Sequence, residues 1–405
     1  MRLGPAADWG RVGVAAAGLR RLVVVSNGGS GDANPQDDVL APLTQLTALS
    51  LRFGEWRPIF PASLPASLAG LTALRELECT GFRRPSPQEL LSLMSPLTQL
   101  TALSCPIVLD GSCGLPELPS LRTLEVEQVA GGGLALLAAS CPALVSLATS
   151  RPIILTMAKG AAARLPALTS LSFGGGLGSA QCAALGSSLP GCAPALQRLV
   201  VSGNKAAIDP TPLISKLKGL SQLQLYPCTS PEPLLKGTRT WRALAALPAV
   251  RAFAGCVELG WEPATMAACV SFCGQLTELH LGLRLVWDSQ VECCVAFAAA
   301  MTASRVQAFH VTPGRPVAAT LVRPALPTPF WEHLAAWQCL SSVQIDLVCT
   351  DEQLSVLCAS PTVTSVVITA DDNTADERLT AHARKLMLAH RGKELHISIE
   401  RKMLL

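Results

Sequence analysis

The chain predicts an α/β solenoid, and three observations predict it. First, a nine-residue phrase returns almost unchanged: LTQLTALSL at 43–51 and LTQLTALSC at 97–105, with LTALRELEC at 71–79 and LPALTSLSF at 165–173 as relatives. A short unit recurring every few tens of residues builds a core that grows lengthwise, turn by turn. Second, each phrase ends in L-x-L, the alternation of a short half-buried strand. Third, several segments between phrases open with helix-start signals, so strands and helices alternate along the chain.

The strands come from the phrase itself. Aligned on its third apolar position, it marks fifteen units, from Leu22, Leu49, Leu77 and Leu103 through Phe253 and Phe309 to Val343, Val366 and Leu395. The spacing averages roughly 27 residues, shrinking to 21 between Leu103 and Leu124 and stretching to 34 between Phe309 and Val343. Apolar positions should point inward and the residues between them outward. Successive strands should stack in parallel and line the inside of a curve, with the returns on the outer side.

The returns carry the helix signals. Ser86-Pro87-Gln88-Glu89 sets a capping residue before a Pro at the first helical place, ahead of LLSLM. Thr350-Asp351-Glu352-Gln353 and Thr374-Ala375-Asp376-Glu377 both fit the capping box. Asp288-Ser289-Gln290 opens the apolar run VECCVAFAAAM. Two Pro-rich inserts, 227–236 and 313–329, read as loops within one domain. The layout is a short lead at 1–15, about 14 repeats over 16–370, and a polar capping repeat at 371–405.

Composition excludes several classes. The chain is 49% hydrophobic but only 4% aromatic, so Leu, Ala and Val should fill the interior. A net charge of +3 with 15% charged residues leaves no footprint for nucleic acid. Asp8 and two Arg interrupt the N-terminus, which does not read as a signal peptide. Fifteen Cys, an odd number scattered singly, and no Asn-x-Ser/Thr sequon point to a reducing, cytoplasmic setting. The uncharged runs 128–150 and 165–197 contain prolines and keep the repeat in phase, so no membrane span is expected.

These residues resemble the leucine-rich-repeat superfamily over nearly the whole chain. The family pattern L-x-x-L-x-L-x-x-N is matched through its Asn by LRRLVVVSN, ending at Asn27, and LQRLVVSGN, ending at Asn204. Most other units carry Gly54, Gly176, Cys228 or Asp371 there. GLALLAASCPALVSL at 133–147 and VSFCGQLTELHL at 270–281 are similar to the cysteine-containing and ribonuclease-inhibitor-like intracellular subgroups. The resemblance implies a curved horseshoe with parallel strands on the concave face and helices and irregular loops on the convex one. It also implies a non-enzymatic scaffold or adaptor that holds a protein partner, including cytoskeletal or axonemal forms. The alternative it implies is the substrate-recognition subunit of an SCF-type ubiquitin ligase. That reading needs an F-box of roughly forty residues ahead of the repeats, where this chain has about fifteen.

Signatures of catalysis and cofactors are wanting. Gly174-Gly175-Gly176-Leu177-Gly178 fails the dinucleotide spacing, since Ser179 stands at the third Gly, and reads as a tight turn. Cys269 and Cys273, four apart on a helix, and Cys293-Cys294 read as packing residues. His382, His390 and His396 read as solvated or capping residues. No catalytic residue, cofactor or metal is therefore assigned. The candidate site is the outward row of the strands: Glu76, Glu78, Glu125 and Glu127 as one acidic patch for a basic partner, then Arg198, Gln222, Gln224 and Tyr226, then His280 and His310. Arg52, Glu278, Gln344 and Asp346 fall on the same row.

Overall fold

The computed structural model describes residues 2–3, 18–26, 40, 43–53, 68–80, 94–153, 164–175, 179–202, 210–226, 237–257, 262–283, 288–313, 326–346, 349–370, 373–390 and 394–401. The chain forms two compact units. One comprises 1–175 with 187–196, the other 176–186 with 197–405.

Each L-x-x-L segment folds into a tight turn before its strand. The second leucine donates its backbone N–H to the carbonyl three residues back, as in Leu46 to Leu43 (2.9 Å) and Leu74 to Leu71 (2.9 Å). Both leucines are then fully buried, as Leu43, Leu46, Leu71 and Leu74 are. The residue after the turn tethers it to the preceding repeat. Thr47 donates its N–H (2.8 Å) and its hydroxyl (2.9 Å) to the Arg20 carbonyl. Thr101 does the same to Arg75, and in the second unit Thr277 to Arg251 and Ser341 to Gln307. This hydroxyl ladder satisfies a carbonyl at the edge of each turn.

In the first unit the strands are β1 (Arg2–Leu3), β2 (Arg21–Ser26), β3 (Ala48–Phe53), β4 (Glu76–Thr80), β5 (Ala102–Leu109), β6 (Thr123–Val129), β7 (Ser146–Thr149) and β8 (Ser170–Phe173). They pair in parallel and in chain order. Leu22, Leu49, Leu77, Leu103, Leu124, Leu147 and Leu171 stand opposite one another, as the alignment requires. Helix α1 (Gly133–Ser140) lies between β6 and β7, and α2 (Ser179–Cys192) contributes residues to both units. After β8 the chain turns at Gly174 and Gly175. A Cβ on Gly174 would sit 2.4 Å from the Ser150 carbonyl oxygen, and Gly175 has φ +81°. A turn explains these two glycines; residues 176–178 lie outside the described ones.

The second unit alternates strands and helices throughout: β9 (Arg198–Ser202), α3 (Thr211–Ile214), β10 (Gln222–Tyr226), α4 (Thr238–Ala245), β11 (Ala252–Val257), α5 (Pro263–Cys273), β12 (Glu278–Leu283), α6 (Asp288–Ala300), β13 (Ala308–Pro313), α7 (Thr328–Ala335), β14 (Ser342–Ile345), α8 (Asp351–Ala359), β15 (Ser365–Ala370), α9 (Asn373–Ala389) and β16 (His396–Arg401). These strands also pair in parallel and in order, with Leu199, Leu223, Phe253, Leu279, Phe309, Val343 and Val366 in register. The last anchor is corrected. Val366 faces Ile397, whereas Leu395 precedes β16 and is half-buried. Side chains alternate with a period of two, so a shift of two residues fits the same pattern.

The interior differs from the composition-based expectation. The second unit is filled by aromatic rings as well as aliphatic chains: Phe253 and Phe272 meet edge to face at 5.2 Å, and Trp337 packs on Phe309 at 5.2 Å. Trp337 Nε1 donates to the Ala298 carbonyl (2.8 Å), so the buried indole has its partner.

The helix starts vary in outcome. Thr350 and Gln353 form the capping box, with reciprocal bonds of 3.3 and 2.9 Å. Helix α6 opens at Asp288 as expected, and α9 opens at Asn373, which puts Thr374 inside it. The ends of the insert at 313–329 belong to regular elements, because β13 runs to Pro313 and α7 begins at Thr328, and residues 314–325 lie outside the described ones. The segment 86–89, the insert 227–236, and Asn27 and Asn204 lie outside the described residues.

Every described cysteine is a free thiol, and all but Cys256 and Cys339 are buried. Burial pushes the thiols of Cys141 and Cys294 up to about 12, so both are protonated at neutral pH. Cys269 and Cys273 lie 4.0 Å apart, sulfur to sulfur. His382 shares a hydrogen bond with Ser355 (2.9 Å), which ties α9 to α8. Among the described residues no helix is long and apolar enough to cross a membrane. None of their His, Cys, Asp and Glu side chains form a group of three or more that could hold a metal ion.

Candidate functional site on the strand faces

The outward positions of β2 to β6 line a groove of about 370 Å³ in the first unit. Glu76, Glu78 and Glu125 all lie in it. Glu127 is farther along β6, where Arg151 pairs with it at 2.8 Å. The grouping of the four glutamates is therefore three and one.

The groove is not the open acidic patch that the row of glutamates suggests. Arg21 Nη2 pairs with Glu76 at 2.7 Å. Arg52 grips Glu78 with two nitrogens, each at 2.9 Å, while the Ser50 hydroxyl donates to the same carboxylate at 2.8 Å. Burial opposes ionisation of Glu78. The bonds from Arg52 and Ser50 and the guanidinium charge outweigh it, holding the carboxyl below its usual range. Glu125 accepts a hydrogen bond from Ser104 (3.0 Å). Strand spacing makes this interlock possible: each arginine sits one or two strands, about 5–10 Å, from its glutamate.

The second unit carries a groove of about 260 Å³ over β10 to β14. Its floor is two rows of register partners. One is Ala252, Glu278, Ala308, Ser342; the other is Gln224, Ala254, His280, His310, Gln344. His280 and His310 stack, ring centroids 3.9 Å apart and planes 22° off parallel. His310 Nε2 lies 3.2 Å from Asp346 Oδ2, and His280 Nε2 lies 3.4 Å from the Thr312 hydroxyl. Burial, and then the His310 charge, drive the His280 imidazole down to about 4, against a smaller upward pull from Asp346. The ring of His280 is thus neutral at pH 7. Glu278 is exposed and, among the described residues, its carboxylate makes no hydrogen bond or ion pair.

The remaining candidates fall in or beside these grooves. Arg198 and Gln222 are exposed register partners on β9 and β10. Gln224 lines the second groove together with His280 and His310. Tyr226 closes β10, and its side chain lies outside the described residues. Arg21, Arg151, Ser50 and Ser104 were missed as partners of the glutamates, as were the alanines that clear space around Glu278. Strand alternation puts Arg21, Ser50, Ser104 and the alanines on the outward row, whereas Arg151 follows β7. What alternation lacks is the cross-strand register that says which outward residues meet.

No model of a known protein family matches the chain, and no curated protein matches it.

Proposed function

We propose that this chain is a leucine-rich-repeat protein, a non-enzymatic cytoplasmic scaffold that holds a protein partner on the concave face of a curved stack of parallel strands. Such a scaffold could serve a cytoskeletal or axonemal assembly, as intracellular relatives in that superfamily do. The observation that carries this reading is the outward row of the strands, which is polar and grooved in both units. Long rows of polar side chains at fixed spacing suit an extended protein surface.

The test is affinity purification of the full chain from its native cell extract, with capture read by mass spectrometry. A variant carrying Ser104→Trp, Glu125→Lys, Glu278→Lys and Gln344→Trp should lose the captured proteins while keeping its circular dichroism and melting temperature. A second variant, Arg242→Glu with Glu332→Lys on exposed helix positions of α4 and α7, should keep them. Capture that survives the first variant, or is lost only with the second, overturns the reading.

A further inference from the structure

The sheet of the second unit ends at β16, and its core thins there. Among the described residues β16 pairs with β15 alone, so one edge of this strand has no neighbour. His396 donates its N–H back to the Thr364 carbonyl (2.8 Å). Backbone groups alternate sides along a strand, so the N–H and C=O of Ile397 and Ile399 turn toward the free edge. Ile345 and Ile368 are fully buried at the second inward position of β14 and β15. Ile399 holds the same position on β16 and is only half-buried. On α9, the helix packed against β16, Leu388 is 58% exposed, the most exposed large apolar side chain among the described residues.

A strand edge with no Pro or Lys along it is a template for another strand. What this edge fits is itself. When the strand is laid antiparallel against a second copy about Ser398, the run HISIE matches its own reverse. Ile397 stands across from Ile399 of the second copy, His396 across from Glu400, and Ser398 across from Ser398. Opposite residues of an antiparallel pair share a face. Here the isoleucines share the inward face and the other three positions the outward one. The backbone fits the same register: each Ile397–Ile399 pair joins residues whose N–H and C=O face the edge, so it exchanges both hydrogen bonds. His396 and Glu400 occupy a non-hydrogen-bonded position, the closer of the two kinds, and an imidazole can donate to a carboxylate. A shift of two residues either way loses the match of His396 with Glu400.

We propose that β16 pairs antiparallel with β16 of a second copy of this chain about a two-fold axis at Ser398, and so joins two chains into a dimer. A two-fold contact closes on itself, so the assembly stops at two. Strand β1 is the poorer occupant, since its two residues make a short ladder and the contact would run head to tail into longer oligomers. One strand edge makes a small interface, which sets the dissociation constant on the order of 10 µM.

The test is sedimentation equilibrium of the full chain from about 1 to 100 µM, spanning that constant. The mass should rise from one chain to two and no further. Ser398→Lys and Ser398→Glu each set two like charges face to face on the axis, and each alone should weaken the dimer at least about tenfold. An equimolar mixture of the two should restore it, a rescue that only a two-fold contact at Ser398 produces. His396→Glu should weaken the dimer about fivefold and its combination with Glu400→Lys should recover it, which covers the case in which the Ser398 variants do not fold. Circular dichroism and melting temperature check the fold of each variant. A single chain at every concentration, a mass that climbs past two chains, a dimer that the like-charge variants do not weaken, or folded variants whose opposite charges bring no rescue overturns the proposal. The strand-face variant leaves β16 untouched, so loss of captured proteins and loss of the dimer are separate results.

Discussion

The two grooves use the same backbone and reach opposite electrostatic states. In the first unit Arg21 and Arg52 reach across one or two strands and occupy Glu76 and Glu78. In the second unit the positions around Glu278 are Ala252 and Ala308, too short to reach anything, and the carboxylate stays open. Register decides this, because side chains interact only where the ladder sets them side by side. The first groove pairs its glutamates with arginines of the same chain, whereas in the second the Glu278 carboxylate has no partner among the described residues. The cores beneath differ too, with leucines under the first groove and phenylalanine and tryptophan rings under the second.

The largest effect tests those cores. Phe272→Ala should cost about 4 kcal/mol in urea unfolding and Leu77→Ala about 3, because the ring loses both area and its edge-to-face contacts. Equal costs would remove the distinction between the two interiors.

A smaller effect comes from the histidine stack. His280 has its imidazole lowered from 6.5 to about 4 in the folded chain. Between those values the unfolded chain takes up a proton that the folded site refuses, so stability falls as pH drops from about 6.5 toward 4. The loss should be about 2 kcal/mol, below the full shift because the half-buried ring is partly screened. The titratable groups around His280 are Glu278 on its own strand, Cys256 on β11, His310 on β13 and Asp346 after β14. His280→Gln should flatten this part of the stability profile, and an unchanged slope would place its origin elsewhere.

The next prediction converts one groove toward the other. Arg21→Gln with Arg52→Gln frees Glu76 and Glu78 and should raise the affinity of a nona-arginine probe, read by fluorescence anisotropy, about threefold at low salt, less at high salt. No gain would show that the arginines do not close the first groove. The smallest effect belongs to Glu125→Gln. This exposed side chain has a single bond from Ser104, and its loss should leave stability within about 0.5 kcal/mol. A larger change in the melting curve would reveal a role for Glu125 that its surroundings do not show.

Much of the architecture was legible because leucine spacing reports burial directly. L-x-x-L fixes a turn and L-x-L a strand, so anchors such as Leu49, Leu77 and Leu223 fall in register without any knowledge of tertiary contacts. The capping box at Thr350 was equally local. Failures came where two readings shared one pattern, as at Leu395 and Ile397, or where partners lie a repeat apart, as with Arg21 and Glu76. The hydroxyl ladder of Thr47 and Thr101 was visible as Thr after each second leucine, but its acceptors are carbonyls a full repeat upstream.

By itself the sequence determined which residues turn inward, since period and hydrophobicity are properties of the chain alone. It also placed Glu76, Glu278, His280 and His310 on the outward face. Only the tertiary structure decided which of these outward groups neutralise one another and which remain open. That outcome depends on lateral register between strands separated by twenty to thirty residues, and on whether the neighbour at that register is an arginine that reaches or an alanine that does not.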